Sequence, residues 1–358
     1  MKTKKSFLKV IAILLFCTLP TVARSADEET KTDLLKLELK GKVKSVTQTV
    51  KVLSKGSSTG SDGMYKSKQI FQFNEQGYKT EIVIYNIEQK IEQKQLIKYN
   101  TANKITEITN YNGNNELVYK EQFQYNDKNK ETEHLYFTTR KTPDRKLSKI
   151  YDANGNLIEV KEYGSNMKLK NRITSVYNSK NLETENVYFD PLNNVLTTIK
   201  YTYNAFDKVS EEFQYLSDGS LYTKSVYEYN NNKDVIKLST FHVSGVLMNQ
   251  DNIEYNKAGL MTEKTHFEGN VCTVSLGYKY NSKGLVSWEW DRKKREYTDY
   301  AYDANQNNIK VVVNDDFSEQ YRIIRKYVYD ANNNWVSMLE DNSKEVMSLL
   351  TTREISYY

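Results

Sequence analysis

The sequence predicts an all-β repeat protein, a long antiparallel sheet of stacked hairpins. Three observations carry that expectation. An aromatic residue followed by Asn or Asp recurs every 26 residues, at Phe73, Tyr99, Tyr125, Tyr151, Tyr177, Tyr203, Tyr229 and Tyr255. The chain is only 38% hydrophobic, yet its 358 residues include 29 Tyr and 12 Phe. Disorder depletes aromatic and β-branched residues, so a polar, Tyr-rich chain reads as sheet with wet faces. Finally, residues that tolerate a positive φ stand four after most anchors: Gly77, Asn103, Asn129, Gly155, Asn181, Asp207 and Gly259, with Lys233 as the exception.

The elements follow in order. Residues 1–25 read as a secretory signal peptide: Lys2, Lys4, Lys5 and Lys9 precede the apolar run Val10 to Phe16, and Ala23-Arg24-Ser25 supplies small residues for cleavage. A lipoprotein signal with Cys17 acylated is the weaker alternative, because bulky Phe16 precedes the Cys. The protein is therefore expected to be exported to the periplasm, the cell surface or the outside. The signal holds five basic residues and no acid, so the 51 basic and 46 acidic residues of the whole chain become 51 − 5 = 46 against 46. A nucleic-acid partner, which needs a basic footprint, is excluded. No transmembrane span is expected after signal removal. Cys272 remains alone and reads as a small buried residue.

Residues 26–65 read as an N-terminal capping segment: a charged, briefly helical stretch to 40, a strand over Lys42 to Ser54, and a flexible loop from Gly56 to Gly63. The repeats occupy 66–334, starting with a strand over Met64 to Phe73. Each unit reads strand–turn–strand–turn, with two strands of about nine residues, each ~30 Å long. Twelve after the regular anchors stand Tyr85, Tyr111, Phe137, Tyr163, Phe189, Tyr215, Phe241 and Phe267, and apolar residues mostly follow six later. These are expected to pair across the second loop, as Tyr85 with Ile91 and Phe241 with Leu247. That loop holds Gly113, Gly164, Gly219, Gly245, Gly269 and Pro191. The register then loosens through Tyr280, Tyr302 and Tyr329, and residues 335–358 read as two C-terminal capping strands. Terminal units are expected to differ because they shield sheet edges. Middle positions mix polarity, which leaves open a flat, spiralled or partly closed sheet.

Chemistry is sparse. His134, His242 and His266 fall in different columns of the repeat, and no zinc-type spacing, nucleophile elbow or phosphate loop is present. Glu211-Glu212 and Asp315-Asp316 alternate faces on a strand, so neither is an acid/base dyad. No metal, no cofactor and no enzymatic activity are expected. The sharpest anomaly is Trp288-Glu289-Trp290-Asp291-Arg292-Lys293. Two Trp residues two apart share a strand face and, with Arg292 and Lys293, could form a flat platform for a sugar ring or an acidic polymer. The alternative is that both fill columns occupied elsewhere by Tyr and Phe.

Tyr151-Asp152-Ala153-Asn154-Gly155-Asn156-Leu157 resembles the YD repeat, also called the RHS repeat, of bacterial secreted and cell-envelope proteins. Tyr302-Asp303-Ala304-Asn305 and Tyr329-Asp330-Ala331-Asn332 match its first half. The resemblance covers residues 66–358 as a degenerate, Bacteroidetes-type series with no toxin domain. It implies a continuous antiparallel sheet that can spiral into a shell, and ties to carbohydrate binding, surface adhesion and encapsulation. The resulting expectation is a secreted, non-enzymatic binding protein for a glycan or cell-wall polymer. The alternative is an envelope scaffold, or a shell around a protein partner that uses its sheet edge for strand addition.

Overall fold

The computed structural model describes residues 31–56 and 63–358. The signal peptide expected at 1–25 and most of the loop before Gly63 lie outside the described residues. After one helical turn, α1 (Asp33–Lys36), the chain makes β1 (Val43–Ser54), β2 (Met64–Phe73), β3 (Lys79–Tyr85), β4 (Ile91–Tyr99), β5 (Ile105–Asn112), β6 (Leu117–Tyr125), β7 (Glu131–Phe137), β8 (Arg145–Tyr151), β9 (Leu157–Gly164), β10 (Leu169–Tyr177), β11 (Glu183–Phe189) and β12 (Val195–Tyr203). It continues through β13 (Val209–Leu216), β14 (Leu221–Tyr229), β15 (Val235–His242), β16 (Leu247–Tyr255), β17 (Met261–Glu268), β18 (Val271–Tyr280), β19 (Val286–Asp291), β20 (Glu296–Tyr302), β21 (Asn308–Asp315), β22 (Glu319–Tyr329), β23 (Trp335–Asn342) and β24 (Met347–Tyr357).

Every strand pairs antiparallel with the next. The last, β24, then pairs with β1 from Val43 opposite Tyr357 to Ser54 opposite Met347. The sheet is a closed 24-stranded barrel, neither flat nor spiralled. The terminal strands do not shield edges, as the sequence suggested; they remove them by pairing with each other. Strand addition to an edge has no place here. A circular barrel of this strand number, at the usual spacing and tilt, has a radius of roughly 24 Å, wider than side chains can fill.

The turns are those the columns predict. Asn100 accepts from the N–H of Asn103 (3.0 Å) and donates its own N–H to the Lys104 carbonyl (2.9 Å), while its Oδ1 accepts from the N–H groups of Ala102 (3.0 Å) and Lys104 (2.9 Å). Asn103 sits at φ 57°, and the ladder slips one residue at Tyr99, a G1-type bulge. The second loops use the same turn, with positive φ at Gln89, Asn115, Met167, Asn193, Gly219 and Gly245. Gly113 is not among these; its hydrogen leaves room for the Ile91 carbonyl, which a Cβ would approach to 2.2 Å. Tyr85 with Ile91 and Phe241 with Leu247 pair as expected. Phe137 and Pro143 do not, because the loop after β7 is longer. Cys272 is half-exposed, not buried, and its thiol donates to the Val274 carbonyl (3.3 Å).

The anchor tyrosines explain the 26-residue period. Each phenol donates to the backbone carbonyl 20 residues earlier: Tyr99 to Lys79 (2.7 Å), Tyr125 to Ile105 (2.7 Å), Tyr151 to Glu131 (2.8 Å), Tyr177 to Leu157 (3.1 Å), Tyr203 to Glu183 (2.5 Å), Tyr229 to Val209 (2.6 Å) and Tyr255 to Val235 (3.1 Å). The β3–β4 ladder stops at Glu81 opposite Leu96, so the Tyr99 phenol joins the two strands past their last backbone pair. Phe73 has no preceding repeat to join, and packs instead in a cluster with Leu34, Leu39, Val43 and Val46. There the N-terminal segment covers the closure seam: Leu34 donates to the Gly77 carbonyl (3.1 Å), and the Asn334 side chain bonds both the N–H (2.7 Å) and the carbonyl (2.8 Å) of Lys40.

Apart from this cluster there is little core. Among the described residues eleven hydrophobic and eleven polar side chains are buried. Stability is therefore a sum of ladder bonds, turn bonds and cross-strand pairs. Tyr125→Phe should cost about 1 kcal/mol, because the Ile105 carbonyl loses its partner. Thermal melting should show a drop of about 2 °C. An unchanged melting temperature would remove the phenol–carbonyl bond from the list of stabilising interactions.

Candidate functional site

Alternation gives the barrel two faces. One runs through Gln95, Asn110, Tyr119, Glu121, His134, Tyr201, Glu212, Tyr227 and Arg353, and the anchors project on the same side. Its groups are the dehydrated ones. Burial pushes the Tyr201 and Tyr227 phenols up, and the nearby Glu212 charge adds to both. Burial likewise raises the Glu212 carboxyl, against a hydrogen bond from Tyr227. Tyr300 is pushed up to about 12 by burial and then by Glu289. This is the face turned into the ring, and it is polar. Gln93 and Gln95 donate to Asn110 Oδ1 (3.2 and 3.0 Å), beside the stacked rings of Tyr119 and Tyr136 (5.6 Å, 27°). His134 bonds Glu121 (2.7 Å) and stacks on Phe123 (4.3 Å). His266 bonds Asp251 (2.9 Å), and His242 bonds Ser244 (2.8 Å). The three histidines share the enclosed face but sit on separate partners.

The outer face carries a charge ladder that the aromatic columns concealed. Eight after the anchors stand Glu81, Glu107, Glu133, Glu159, Glu185, Glu211 and Glu263, with Lys237 interrupting. Five before them stand Lys68, Lys94, Lys120, Lys146, Arg172 and Lys224. The columns meet across strands, as in Lys94–Glu81 (2.7 Å), Arg172–Glu159 (3.6 Å), Lys224–Glu211 (2.6 Å) and Lys146–Glu133. The same cations lie over the second aromatic column: Lys68 over Tyr85 (5.2 Å), Lys120 over Phe137 (4.7 Å) and Arg172 over Phe189 (4.1 Å). A strict 26-residue search for Glu and Lys would have found it. Glu211 and Glu212 do point to opposite faces, one paired to Lys224 and one in the ring. No helix among the described residues is long and apolar enough to cross a membrane.

Trp288 and Trp290 share the outer face of β19, as predicted, but they form no flat platform. Their rings are tilted by 53° at 6.0 Å. Lys279 lies 4.7 Å over Trp288 and Arg292 lies 4.8 Å over Trp290. Arg292 also bonds Glu263 through both terminal nitrogens (2.9 and 3.3 Å). Lys293 is held at the turn through its backbone N–H to Asp291 Oδ1 (3.0 Å), with its side chain exposed. The structure thus joins Trp288, Trp290 and Arg292 and leaves Lys293 out. A cleft of about 370 Å³ lies at the anchor rim between the turns at Asn126 and Asp152, whose backbone carbonyls at Ala153 and Gly155 accept from Lys128 (2.7 Å) and Lys130 (2.8 Å).

No protein-family model and no curated protein matches the chain. Among solved structures, the crystal structure of TcdB2-TccC3-Cdc42 is 9% identical, with a TM-score of 0.39, covering 78% of this chain and 19% of that one. The Photorhabdus luminescens Tc holotoxin pore is 9% identical, TM-score 0.25, covering 78% and 19%. A porin-like protein from Bacteroides uniformis is 10% identical, TM-score 0.25, covering 88% and 98%. The chain spans about a fifth of the toxin chains it matches.

The buried Glu212 gives a pH signature. Its carboxyl titrates higher in the fold than in the unfolded chain, so the native state holds the proton longer. Stability from this group is full below the unfolded value, near pH 4, and is lost as pH rises through the folded value. Glu212→Gln should therefore melt higher than the parent at pH 7, with the gain vanishing at pH 4. Equal gains at both pH values would place the Glu212 charge in water.

Proposed function

We propose that the protein is an exported, non-enzymatic binding barrel of YD-repeat type that holds an extended glycan or cell-envelope polymer along its enclosed face. The observation that supports this reading is the lining of that face. Tyrosine rings, amides and carboxylates line it half-exposed where a filled barrel would show aliphatic packing, and such groups suit a hydroxyl-rich chain. The outer tryptophan pair is the weaker candidate, since each indole already has a cation over it.

The test is a glycan and peptidoglycan-fragment array with two double variants. Tyr119→Ala/Tyr136→Ala should weaken binding about tenfold, roughly 1.4 kcal/mol, while Trp288→Ala/Trp290→Ala leaves it unchanged. Loss only in the tryptophan variant would move the site to the outer face. A silent array from folded protein would overturn the glycan reading.

A second reading, a scaffold or shell that docks a protein, has its own support. The rim opposite the anchors exposes apolar loop residues, Leu192 at 82%, Phe317 at 87% and Val346 at 81%. A stoichiometric protein partner, released by changing these three to Ser with no sugar dependence, would favour it.

A further inference from the structure

The seam where β24 meets β1 holds a cation that the fold does not neutralise. Arg353 projects from β24 on the enclosed face, opposite Gln48 of β1. Its guanidinium carbon lies 3.4 Å from the ring centre of Trp335, and its Nε donates to Gln48 Oε1 (3.0 Å). Tyr327 packs edge-on against the same indole (6.1 Å, 64°). Three other cations of the enclosed face have carboxylates: Lys149 with Glu131 (2.8 Å), Lys264 with Asp251 (3.7 Å) and Arg325 with Glu340 (2.7 Å). Arg353 has none within ion-pair distance among the described residues. Glu340 is taken by Arg325, and Glu38 acts only through space. Loss of hydration pulls the Arg353 guanidinium down to about 10 against the weaker opposing influence of Tyr327 and Glu38, so its charge is held at a cost that no ion pair offsets.

A guanidinium carries five N–H donors in a planar fork. With its guanidinium carbon over the Trp335 ring and Nε used by Gln48, Arg353 keeps its two terminal nitrogens as an edge. Two parallel N–H bonds from such an edge match one carboxylate. We propose that Arg353, with Trp335 and Gln48, is a carboxylate-binding site inside the barrel, and that its ligand is an acidic sugar unit of a uronate-containing glycan. This rests on the polymer reading above. The aromatic and amide surroundings, Trp335, Tyr327 and Gln48, favour a sugar acid over an acidic peptide.

The test is calorimetric titration of the purified protein with a galacturonic acid hexamer, a galactose hexamer and a hexaglutamate peptide. The expected result is binding of the acidic hexamer at least tenfold tighter than the neutral one, with Arg353→Gln erasing the difference and Arg353→Lys keeping part of it. Equal affinity for both hexamers would overturn the acid site and leave the polymer reading standing. Arg353-dependent binding of hexaglutamate alone would overturn the sugar class. Binding of none of the three would overturn both readings. If Arg353→Gln does not fold, the acid-to-neutral ratio of the parent and its change in Arg353→Lys decide the matter.

Discussion

The antiparallel pairing of β24 with β1 is the contact on which the remaining structure depends. A sheet without an apolar core cannot leave backbone donors and acceptors exposed along an edge without inviting another chain to pair there. Closure satisfies both terminal strands at once. It also turns one face inward, and so separates two chemistries that the sequence interleaves residue by residue. The ring is sealed where it is most vulnerable: the N-terminal segment, Asn334 and the last two tyrosines meet at the seam, with Tyr358 donating its backbone N–H to the Lys42 carbonyl (2.9 Å). The small aliphatic cluster lies there as well.

Within the ring, order comes from short-range devices repeated many times. An Asx-anchored turn with one left-handed residue sets each hairpin, and a phenol-to-carbonyl bond joins each hairpin to the preceding one. Each device is weak. Their sum is sufficient because neighbouring units share them, as in other repeat proteins. Lys233 at φ 68° shows that the turn geometry is imposed by the ladder even where the residue dislikes it. Where the spacing shortens near Tyr302, the phenol still finds a carbonyl, at Val286 (2.7 Å). Tyr329, by contrast, turns to the Asp303 carboxylate, and Tyr327 takes over the carbonyl bond to Asn308 (3.2 Å).

Much of this was legible in the sequence. Strand limits such as Met64–Phe73, the left-handed positions and the cross-loop pairs all follow from local rules that a 26-residue period amplifies. Closure was not legible, because it depends on the accumulated twist and tilt of 24 strands, a global quantity with no local signature. The charge ladder was missed for a different reason. Glu81 and Lys94 belong to different columns 13 residues apart, and read singly they look like ordinary surface charge. Of the candidate site, Trp288 and Trp290 share a strand face by simple alternation, but the cations over the indoles come partly from β18, which strand alternation alone cannot supply. Arg353 was invisible, since its isolation from carboxylates is a property of the seam.

The enclosed face exists only if the ring is closed, and cross-strand cysteines test that closure directly. Thr49 and Thr352 face each other across β1 and β24 on the outer side. In a Cys272→Ser background, Thr49→Cys/Thr352→Cys should oxidise within one molecule nearly completely and raise the melting temperature, since the bridge closes a very long loop. Cross-links only between molecules, or none under the same oxidation, would show an open sheet and contradict an enclosed face.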